Sequence, residues 1–309
     1  MQQLLWPSLV AKNVRDLFFV GIGVVQSFFK LIIWRPDVVF TKGGFVCLPV
    51  GLVAHALRIP LVIHDSDAHP GLTNRILSRW ADAIATGAPL EYYPYDHKKT
   101  TYVGIPIGEA FVPPTASQVR AAKQEWGIEA DRPLIVVTGG GLGATRINDT
   151  IVKALPELQK LGSVILVSGT GQYEELVEKV PANDKSFQLH AFVTKMPSLL
   201  TAADVVITRA GATTILELAA LAKPTILVPN GKLTGGHQLK NAAVYAKANA
   251  ALIVNEEAMI EDPAMLLNAI MQIINEPTES RHMAERFHAF SKPDAARDMA
   301  EIILKAIHS

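Results

Sequence analysis

Glycine-rich and small-residue segments follow three predicted strands in the second half of the chain. The strand Leu134–Thr138 runs into a glycine loop, Val205–Thr208 runs into the turn and helix Arg209–Glu217, and Thr225–Val228 runs into the polar loop Pro229–Asn241. Missing side chains let a backbone approach phosphates, and the free N–H groups and dipole of a helix N-terminus favour anions. Ligands of open α/β sheets bind at the carboxyl ends of the strands. The three loops therefore predict a site for a phosphate-containing ligand.

The glycine loop fits more than one class of ligand. Gly139, Gly141 and Ala144 match the G-x-G-x-x-A pattern of dinucleotide-binding proteins. That class also needs an acidic residue about 20 positions further on, at the end of the next strand, to hold the ribose hydroxyls. The next strand here ends in residues 168–171 (SGTG), without an acid. The pattern thus disfavours hydride transfer with a nicotinamide cofactor, and a tight turn with close helix–strand packing remains an alternative.

Polar residues in the other two loops have a functional and a structural interpretation. Thr214 and Glu217 fit the capping box S/T-x-x-E, in which the glutamate only accepts a hydrogen bond from a backbone N–H. A ligand-binding role for Glu217 is equally compatible with this spacing. Gln238 and Asn241 carry neutral hydrogen-bonding groups that suit sugar hydroxyls, although such residues are also common at helix starts.

The first half of the chain has two comparable loops, KGGF at 42–45 and HDSDAHPG at 64–71. The second loop contains two imidazoles and two carboxylates within a span of six residues, but their spacing matches no common metal-binding pattern. We therefore expect no metal here. Instead, His64 and Asp65 are predicted to face an acceptor substrate by hydrogen bonding, with a simple turn capped by Asp67 as the alternative.

Composition limits the class of protein. A length of 309 residues favours two domains, and 29 basic residues balance 29 acidic ones, so no overall charge attracts nucleic acid. No basic run interleaved with aromatic residues is present, so nucleic acid is not an expected partner. The single cysteine, Cys47, excludes an intramolecular disulfide and fits a cytosolic location.

The segment Leu17–Trp34 is almost entirely apolar. Gln26, Ser27 and Lys30 interrupt it, whereas a membrane span needs about 20 predominantly apolar residues. The pattern predicts a helix that lies either in the protein core or against a membrane surface. Although Lys12 and Arg15 precede it as in a secretory signal, no small-residue cleavage site follows.

Short β-branched runs alternate with helical stretches along the whole chain, which predicts two α/β domains with parallel sheets. The proline-rich break at 107–117 (IGEAFVPPTAS) suggests a boundary between a domain at 1–110 and a domain at 111–290. A helix is expected in 291–309, packing back toward the first domain. The first domain opens on a helix and carries only three or four predicted strands, fewer than a Rossmann-like domain usually has, so it is expected to be incomplete.

Several motifs in one order along the chain resemble the MurG-type N-acetylglucosaminyltransferases of peptidoglycan synthesis. They are a strand of the KPDVV type, a GG-aromatic loop, an HE-type loop followed by GLTN, a glycine loop before R-I-N, and a small-residue turn ending in glutamate. In this chain the motifs lie at Arg35–Val39, Gly43–Phe45, His64–Asp65, Gly71–Asn74, Gly139–Asn148 and Arg209–Glu217.

The resemblance implies a GT-B fold, in which two Rossmann-like domains with parallel sheets face a cleft. It implies inverting transfer of N-acetylglucosamine from UDP-N-acetylglucosamine to an undecaprenyl-diphosphate-linked muramoyl-pentapeptide, without a metal or cofactor, by a peripheral protein on the cytoplasmic face of the cell membrane. The first domain would bind the acceptor and the second the donor. A non-hydrolysing UDP-N-acetylglucosamine epimerase, or a UDP-sugar-binding protein without catalysis, remains an alternative.

Individual roles follow from the same resemblance. Glu217 matches the ribose-binding glutamate of the family, Ala212–Leu216 match the helix start that meets the diphosphate, and Val193 matches the residue whose backbone holds the uracil. Gln238 and Asn241 match polar groups near the sugar. The donor-site candidates are Gly139, Gly140, Gly141, Gly143, Val193, Arg209, Ala212, Thr213, Thr214, Glu217, Gln238 and Asn241, and the acceptor-site candidates are Gly43, Gly44, His64, Asp65, Asp67 and Asn74.

The chain also departs from the family pattern. The family opens with a GTGGH loop whose histidine is a candidate catalytic base, and this sequence contains no such loop, so no catalytic base is assigned. Gly108 stands where the family has arginine, Gly141 where it often has serine, and Asp67 where it usually has asparagine. Each difference removes or alters a polar contact to substrate.

Overall fold

In the computed structural model, which describes residues 6–140, 144–232 and 234–308, the chain forms two compact units. The first unit comprises residues 1–104 together with 294–309, and the second comprises residues 105–293. The predicted architecture of two α/β domains with parallel sheets is confirmed. Within the described ranges, no helix is both long enough and apolar enough to cross a bilayer.

The first unit contains a four-stranded parallel sheet in the order β1-β2-β3-β4. Helix α13, from the C-terminal end of the chain, packs on this sheet through Met299, which is buried against Ala85 and Val103. The elements are α1 (Trp6–Trp34), β1 (Val39–Thr41), α2 (Cys47–Ala56), β2 (Leu61–Asp65), α3 (Leu72–Leu77), β3 (Ala83–Thr86), β4 (Thr100–Tyr102) and α13 (Ala295–Ile307).

The second unit contains a six-stranded parallel sheet in the order β10-β9-β8-β5-β6-β7. Its elements are α4 (Ala116–Glu125), β5 (Leu134–Thr138), α5 (Thr145–Leu161), β6 (Ser163–Val167), α6 (Tyr173–Val177), β7 (Phe187–His190), α7 (Met196–Ala202), β8 (Val205–Thr208), α8 (Ala212–Ala220), β9 (Thr225–Leu227), α9 (His237–Lys247), β10 (Leu252–Ile253), α10 (Glu256–Glu261), α11 (Ala264–Asn275) and α12 (Pro277–His288).

The core of the second unit explains why its elements form where they do. All five residues of β5 are buried, as expected for a strand covered by helices on both faces. Helix α5 buries Ile147, Ile151, Leu155 and Leu158, which recur at helical spacing and form one apolar stripe against the sheet. This packing fixes the start of α5 directly after the glycine loop.

Two strands, β4 and β7, were not among the sequence predictions, and α1 begins earlier than the predicted start at Leu17. Both strands lie at a sheet edge. Along β7, buried and half-buried residues alternate, so it lacks the continuous apolar run that marks a central strand. The predicted strands Leu134–Thr138, Val205–Thr208 and Thr225–Val228 match β5, β8 and β9 to within one residue at each end.

Candidate functional site

The strand order of the second unit reverses between β5 and β8. From β5 the chain builds outward through β6 and β7 on one side, and then returns to build β8, β9 and β10 on the other. Strands β5 and β8 run parallel and pair directly, with Thr138 opposite Thr208. Such a reversal leaves a crevice at the carboxyl ends of the two strands, which is where open α/β sheets bind their ligands. The predicted glycine loop and the Arg209–Glu217 segment both begin at this point.

The glycine loop approaches the start of helix α8. Gly140 has a φ of +71°, and its N–H donates to the Thr138 hydroxyl at 3.3 Å. A Cβ atom at Gly140 would lie 3.9 Å from the Thr214 hydroxyl, so the two predicted donor loops face each other. Gly139 is buried at the end of β5. The predictions for Gly141 and Gly143 fall outside the described residues.

Helix α8 begins at Ala212, and its N-cap is Gly211, which offers no capping side chain. The first intrahelical bond runs from the Ile215 N–H to the Gly211 carbonyl, at 3.0 Å. The N–H groups of Ala212, Thr213 and Thr214 thus precede the helical ladder, as in an anion-binding helix start. Thr214 lies inside the first turn instead of at its cap, so the alternative interpretation of Thr214 and Glu217 as a capping box is wrong.

Glu217 lies one turn into α8 and is half-buried. Burial raises the pKa of its carboxyl group. Among the described residues, its carboxylate has neither a hydrogen-bond donor nor an ion-pair partner. A partly desolvated carboxylate without a partner in this part of the structure is available to accept hydrogen bonds from a ligand.

Arg209 and Asn241 hold the turn before α8 in place. The Arg209 guanidinium, expected in the donor site, is buried instead: it donates to the Val228 carbonyl at 3.1 Å and pairs with Glu256. Asn241, also buried, donates from Nδ2 to the Ala210 carbonyl at 3.1 Å. Gln238 is half-buried, and its Oε1 accepts the Asn230 N–H at 2.8 Å. These three side chains therefore support the loops through contacts within the protein.

The SGTG loop after β6 is tied to the helix that follows the glycine loop. Asn148 on α5 donates from Nδ2 to the Ser168 carbonyl at 2.9 Å and to the Gln172 side-chain oxygen at 2.7 Å. Gln172 in turn donates to Asp149 at 2.9 Å. Asn148 was predicted only as part of the Gly139–Asn148 motif, and Gln172 was not predicted. Helical spacing was the available signal, because Asn148 lies three residues before the buried Ile151 and hence on the face of α5 that packs on the sheet.

Val193 lies after β7, in the loop at the outer edge of the same sheet. Its side chain is buried, whereas that of the preceding Phe192 is exposed. The role of the Val193 backbone in holding uracil stays a prediction.

In the first unit, the Gly43–Gly44 loop follows β1, and both glycines have a φ of +81°. A Cβ atom at Gly43 would lie 3.1 Å from Nδ2 of Asn74, so the loop lies closely over that side chain. Asn74 is buried and donates from Nδ2 to the His64 carbonyl at 3.0 Å. The predicted acceptor residues Gly43, Gly44 and Asn74 are thus neighbours at the carboxyl ends of β1 and β2.

His64 and Asp65, which were expected to face an acceptor, are both buried. The Nε2 atom of His64 donates to the Gly104 carbonyl at 2.9 Å, and burial lowers the pKa of the ring to about 4. Asp65 accepts a hydrogen bond from the Tyr95 hydroxyl, and burial raises the pKa of this carboxyl group. Asp67 is half-buried beside them. Over the part of the chain that the structure describes, no group of three His, Cys, Asp or Glu residues is placed to hold a metal ion.

Two parallel α/β sheets, one of them with a crevice of the nucleotide-binding type, place the chain in the GT-B class. The C-terminal domain of glycosyltransferase family 28 matches residues 134–299, and the N-terminal domain of the same family matches residues 5–86. The chain belongs to glycosyltransferase family 28.

Individual relatives indicate which members of the family this chain resembles. A protein from an Exiguobacterium species, named UDP-N-acetylglucosamine--N-acetylmuramyl-(pentapeptide) pyrophosphoryl-undecaprenol N-acetylglucosamine transferase, is 34% identical over 97% of this chain and 82% of its own length. The crystal structure of MurG from Acinetobacter baumannii is 25% identical, with a TM-score of 0.74 over 93% of this chain and 79% of that one. A Neisseria meningitidis UDP-GlcNAc 2-epimerase bound to UDP-GlcNAc shares the fold, with a TM-score of 0.67 at 13% identity over 93% of this chain and 81% of its own.

Proposed function

We propose that the protein transfers N-acetylglucosamine from UDP-N-acetylglucosamine to an undecaprenyl-diphosphate-linked muramoyl-peptide in peptidoglycan synthesis. The observation that carries the donor half of this proposal is the Glu217 carboxylate, which lies one turn into α8 beside the crevice between β5 and β8 and has no partner among the described residues. In the proposed complex, Glu217 accepts hydrogen bonds from the ribose hydroxyls, and the N–H groups of Ala212, Thr213 and Thr214 bind the diphosphate.

The Gly139–Gly140 segment supports the same proposal. Because Gly140 lies close to Thr214 without a side chain between them, a phosphate could bind backbone N–H groups from both loops. Gln238 contributes through the loop that it orders at Asn230, on the side where the sugar is proposed to lie. The backbone of Val193 is proposed to hold the uracil.

For the acceptor half, we propose that the Gly43–Gly44 loop binds the lipid diphosphate. It follows strand β1 and precedes helix α2, and Lys42 next to it is exposed and positively charged. His64 and Asn74 give this loop a rigid support, since Asn74 contacts both Gly43 and the His64 carbonyl. Asp67, which is half-buried, is proposed to reach the acceptor sugar or peptide.

An epimerase remains the competing function, since two epimerase structures share the fold at 12–13% identity. At that identity the likeness concerns the fold alone, whereas sequence relatives at 31–34% identity are named as transferases. The transferase is therefore the better supported of the two.

The proposed reaction is tested by supplying labelled UDP-N-acetylglucosamine and a short-chain lipid-diphosphate acceptor. Two proteins are compared: this chain, and a version extended at its N-terminus by the upstream genomic sequence, because the family base lies in a loop that this sequence lacks. We expect acceptor-dependent release of UDP and labelling of the lipid by the extended protein. Epimerisation of the donor without acceptor would favour the alternative. Failure of the extended protein both to release UDP and to label lipid would refute the transferase.

We further propose that the protein binds the cytoplasmic face of the cell membrane through α1, where its product would serve cell-wall synthesis, cell shape and division. Helix α1 exposes an unusually large set of apolar side chains, and patches of this kind mark contact with a membrane or another protein. The exposed Lys30 and Arg35 would suit anionic headgroups. The exposed apolar residues of α1 are Phe18, Phe19, Ile22, Val25, Phe28, Phe29, Ile32, Ile33 and Trp34.

Replacing Phe18, Phe29 and Ile33 together with serine is expected to weaken binding to vesicles of phosphatidylethanolamine and phosphatidylglycerol. Loss of about 1 kcal/mol of transfer free energy at each site would lower the partition coefficient by roughly a hundredfold. Vesicle sedimentation measures this change. The matched control replaces the exposed Val177, Ile260 and Met265 of the second unit with serine, and equal binding by both triple variants would contradict the role of α1.

A further inference from the structure

Three charged side chains, two of them buried, form a group next to the proposed donor site of the second unit. Glu256, the first residue of α10, pairs with Arg209 and also with Arg146, whose Nη1 lies 3.3 Å from the Glu256 Oε2 atom. The side chains of Glu256 and Arg209 are only 5% and 9% exposed, whereas that of Arg146 is 36% exposed. The inner pair is therefore almost fully desolvated, and the outer contact is near the surface.

These three side chains join four segments of the fold. Arg146 is the second residue of α5, directly after the glycine loop, and Arg209 begins the turn after β8. Arg209 also donates to the carbonyl of Val228, the residue after β9. On the other side of the turn, Asn241 donates to the Ala210 carbonyl. The Arg209–Gly211 turn is thus fixed by contacts from α9, α10 and the end of β9.

A buried ion pair is weak evidence of stabilisation, because desolvating two charges offsets most of their attraction. Well-packed apolar residues of similar volume often serve stability as well. What the pair does provide is a defined geometry, since Glu256 accepts from the buried Arg209 on one oxygen and from Arg146 on the other. Its position is informative: Arg209 lies three residues before Ala212, where the N–H groups proposed to bind the diphosphate begin.

We infer that Glu256 is a positioning residue for the nucleotide-sugar donor, a role that rests on the proposed function. It holds the Arg209 guanidinium against the end of β9, and Arg209 in turn holds the backbone that leads into α8. Neither side chain touches the donor. This differs from the expectation that Arg209 binds the donor directly: its guanidinium already binds Val228 and Glu256 within the protein.

The test compares Glu256→Gln with Glu257→Gln. Glu257 is the next residue, its side chain is 71% exposed, and it lies 4.0 Å from Lys232 at the surface, so it is a matched control for the loss of one negative charge. We expect Glu256→Gln to weaken UDP binding, measured by calorimetry, and to raise the KM for the donor by on the order of tenfold or more, because small displacements of binding groups are costly. The KM for the acceptor should stay unchanged in both variants, and the control should bind UDP like the unmodified protein.

A second variant keeps the inference testable if Glu256→Gln does not fold. The double replacement Arg209→Met with Glu256→Leu removes both charges together, and such apolar substitutions for a buried pair are commonly tolerated. If the two residues act as one unit, the double variant should bind UDP more tightly than Arg209→Met alone, because the Glu256 carboxylate is then not left buried without Arg209 beside the turn. Circular dichroism on heating establishes that each variant is folded.

Three outcomes would overturn the role of Glu256. They are unchanged UDP binding by Glu256→Gln, an equal rise in the KM values for donor and acceptor, and a folded double variant that binds UDP as weakly as Arg209→Met alone. The last result would mean that Arg209 contacts the donor. A failure of the unmodified chain to bind UDP at all is a different result, since it would refute the proposed donor site itself.

Discussion

Replacing Glu217 with alanine is expected to weaken UDP binding by about 1.5–3 kcal/mol, or roughly 10–150-fold, since this is the usual value of a hydrogen bond to a charged group. The carboxylate is half-buried and unpaired among the described residues, so the ribose hydroxyls would be its first partners. Calorimetric titration with UDP measures the loss. A control replacement of Glu285, which is exposed on α12 of the same unit, should leave UDP affinity unchanged.

The ligand offers a sharper form of the same test. If Glu217 holds the ribose, UDP lacking the 2′-hydroxyl should lose affinity for the unmodified protein but lose much less for Glu217→Ala, because the lost partner is then already missing. Equal losses for both proteins would show that Glu217 acts elsewhere.

The raised pKa of Glu217 also predicts whether replacing this residue increases or decreases the free energy of unfolding. Burial raises the pKa of this carboxyl group in the folded state. At pH values between the ordinary pKa and the raised pKa, the folded protein binds more protons than the unfolded chain. The contribution of Glu217 to the free energy of unfolding therefore falls as pH rises through this interval. Glu217→Gln should therefore be more stable than the unmodified protein at neutral pH while it binds UDP less tightly. A group that costs stability and gains ligand affinity is typical of a binding site.

The donor side of the fold was largely predictable from the sequence. Strands β5 and β8 are apolar runs that each end in threonine, followed directly by Gly139 after β5 and by the Arg209–Gly211 turn after β8. Both their positions and their carboxyl ends could therefore be predicted. The edge strands β4 and β7 were not, because an edge strand is covered less completely and needs no such run. The sequence pattern therefore predicted the positions of the loops that form the site, but not these edge strands.

The direction of individual side chains was much less predictable. Arg209 is turned inward by Glu256, which lies 47 positions further along the chain, and His64 by the Gly104 carbonyl, 40 positions away. Local sequence carries no sign of such partners. Glu217 shows the opposite case: its local pattern was equally compatible with a helix cap and with ligand binding, and only the observed start of α8 at Ala212 excludes the cap. Position along a strand therefore indicates where a polar residue lies, whereas distant partners decide where it points.

The buried His64 makes the first unit sensitive to acid. Its pKa is lowered from 6.5 to about 4 by burial, so the folded state resists protonation that the unfolded chain accepts. The stabilising contribution of neutral His64 is complete above pH 6.5 and is lost as pH falls from 6.5 toward 4. The shift of about 2.5 units corresponds to roughly 3 kcal/mol of unfolding free energy, at about 1.4 kcal/mol per unit.

Asp65, next to His64, acts in the opposite direction. Its pKa is raised by burial, so protonation of the folded state favours folding as pH falls. The pH dependence of the free energy of unfolding of the unmodified protein therefore combines two effects of opposite sign, and a variant is needed to separate them. His64→Gln keeps a side-chain N–H able to donate to the Gly104 carbonyl but cannot be protonated in this range.

Denaturant unfolding at pH 7.5, 6 and 4.5 is followed by tryptophan fluorescence in a Trp126→Phe background, which leaves tryptophans only in the first unit. The loss of stability between pH 7.5 and 4.5 should be about 2.5 kcal/mol smaller when His64→Gln is added than in the same background with His64. The exposed His97 of the same unit supplies the control, since His97→Gln should keep the full acid sensitivity. Parallel pH dependence in the unmodified protein and His64→Gln would mean that the ring is hydrated or charged in the folded state. His64 would then again be a candidate for direct contact with the acceptor, whereas the expected result assigns it to the support beneath the Gly43–Gly44 loop.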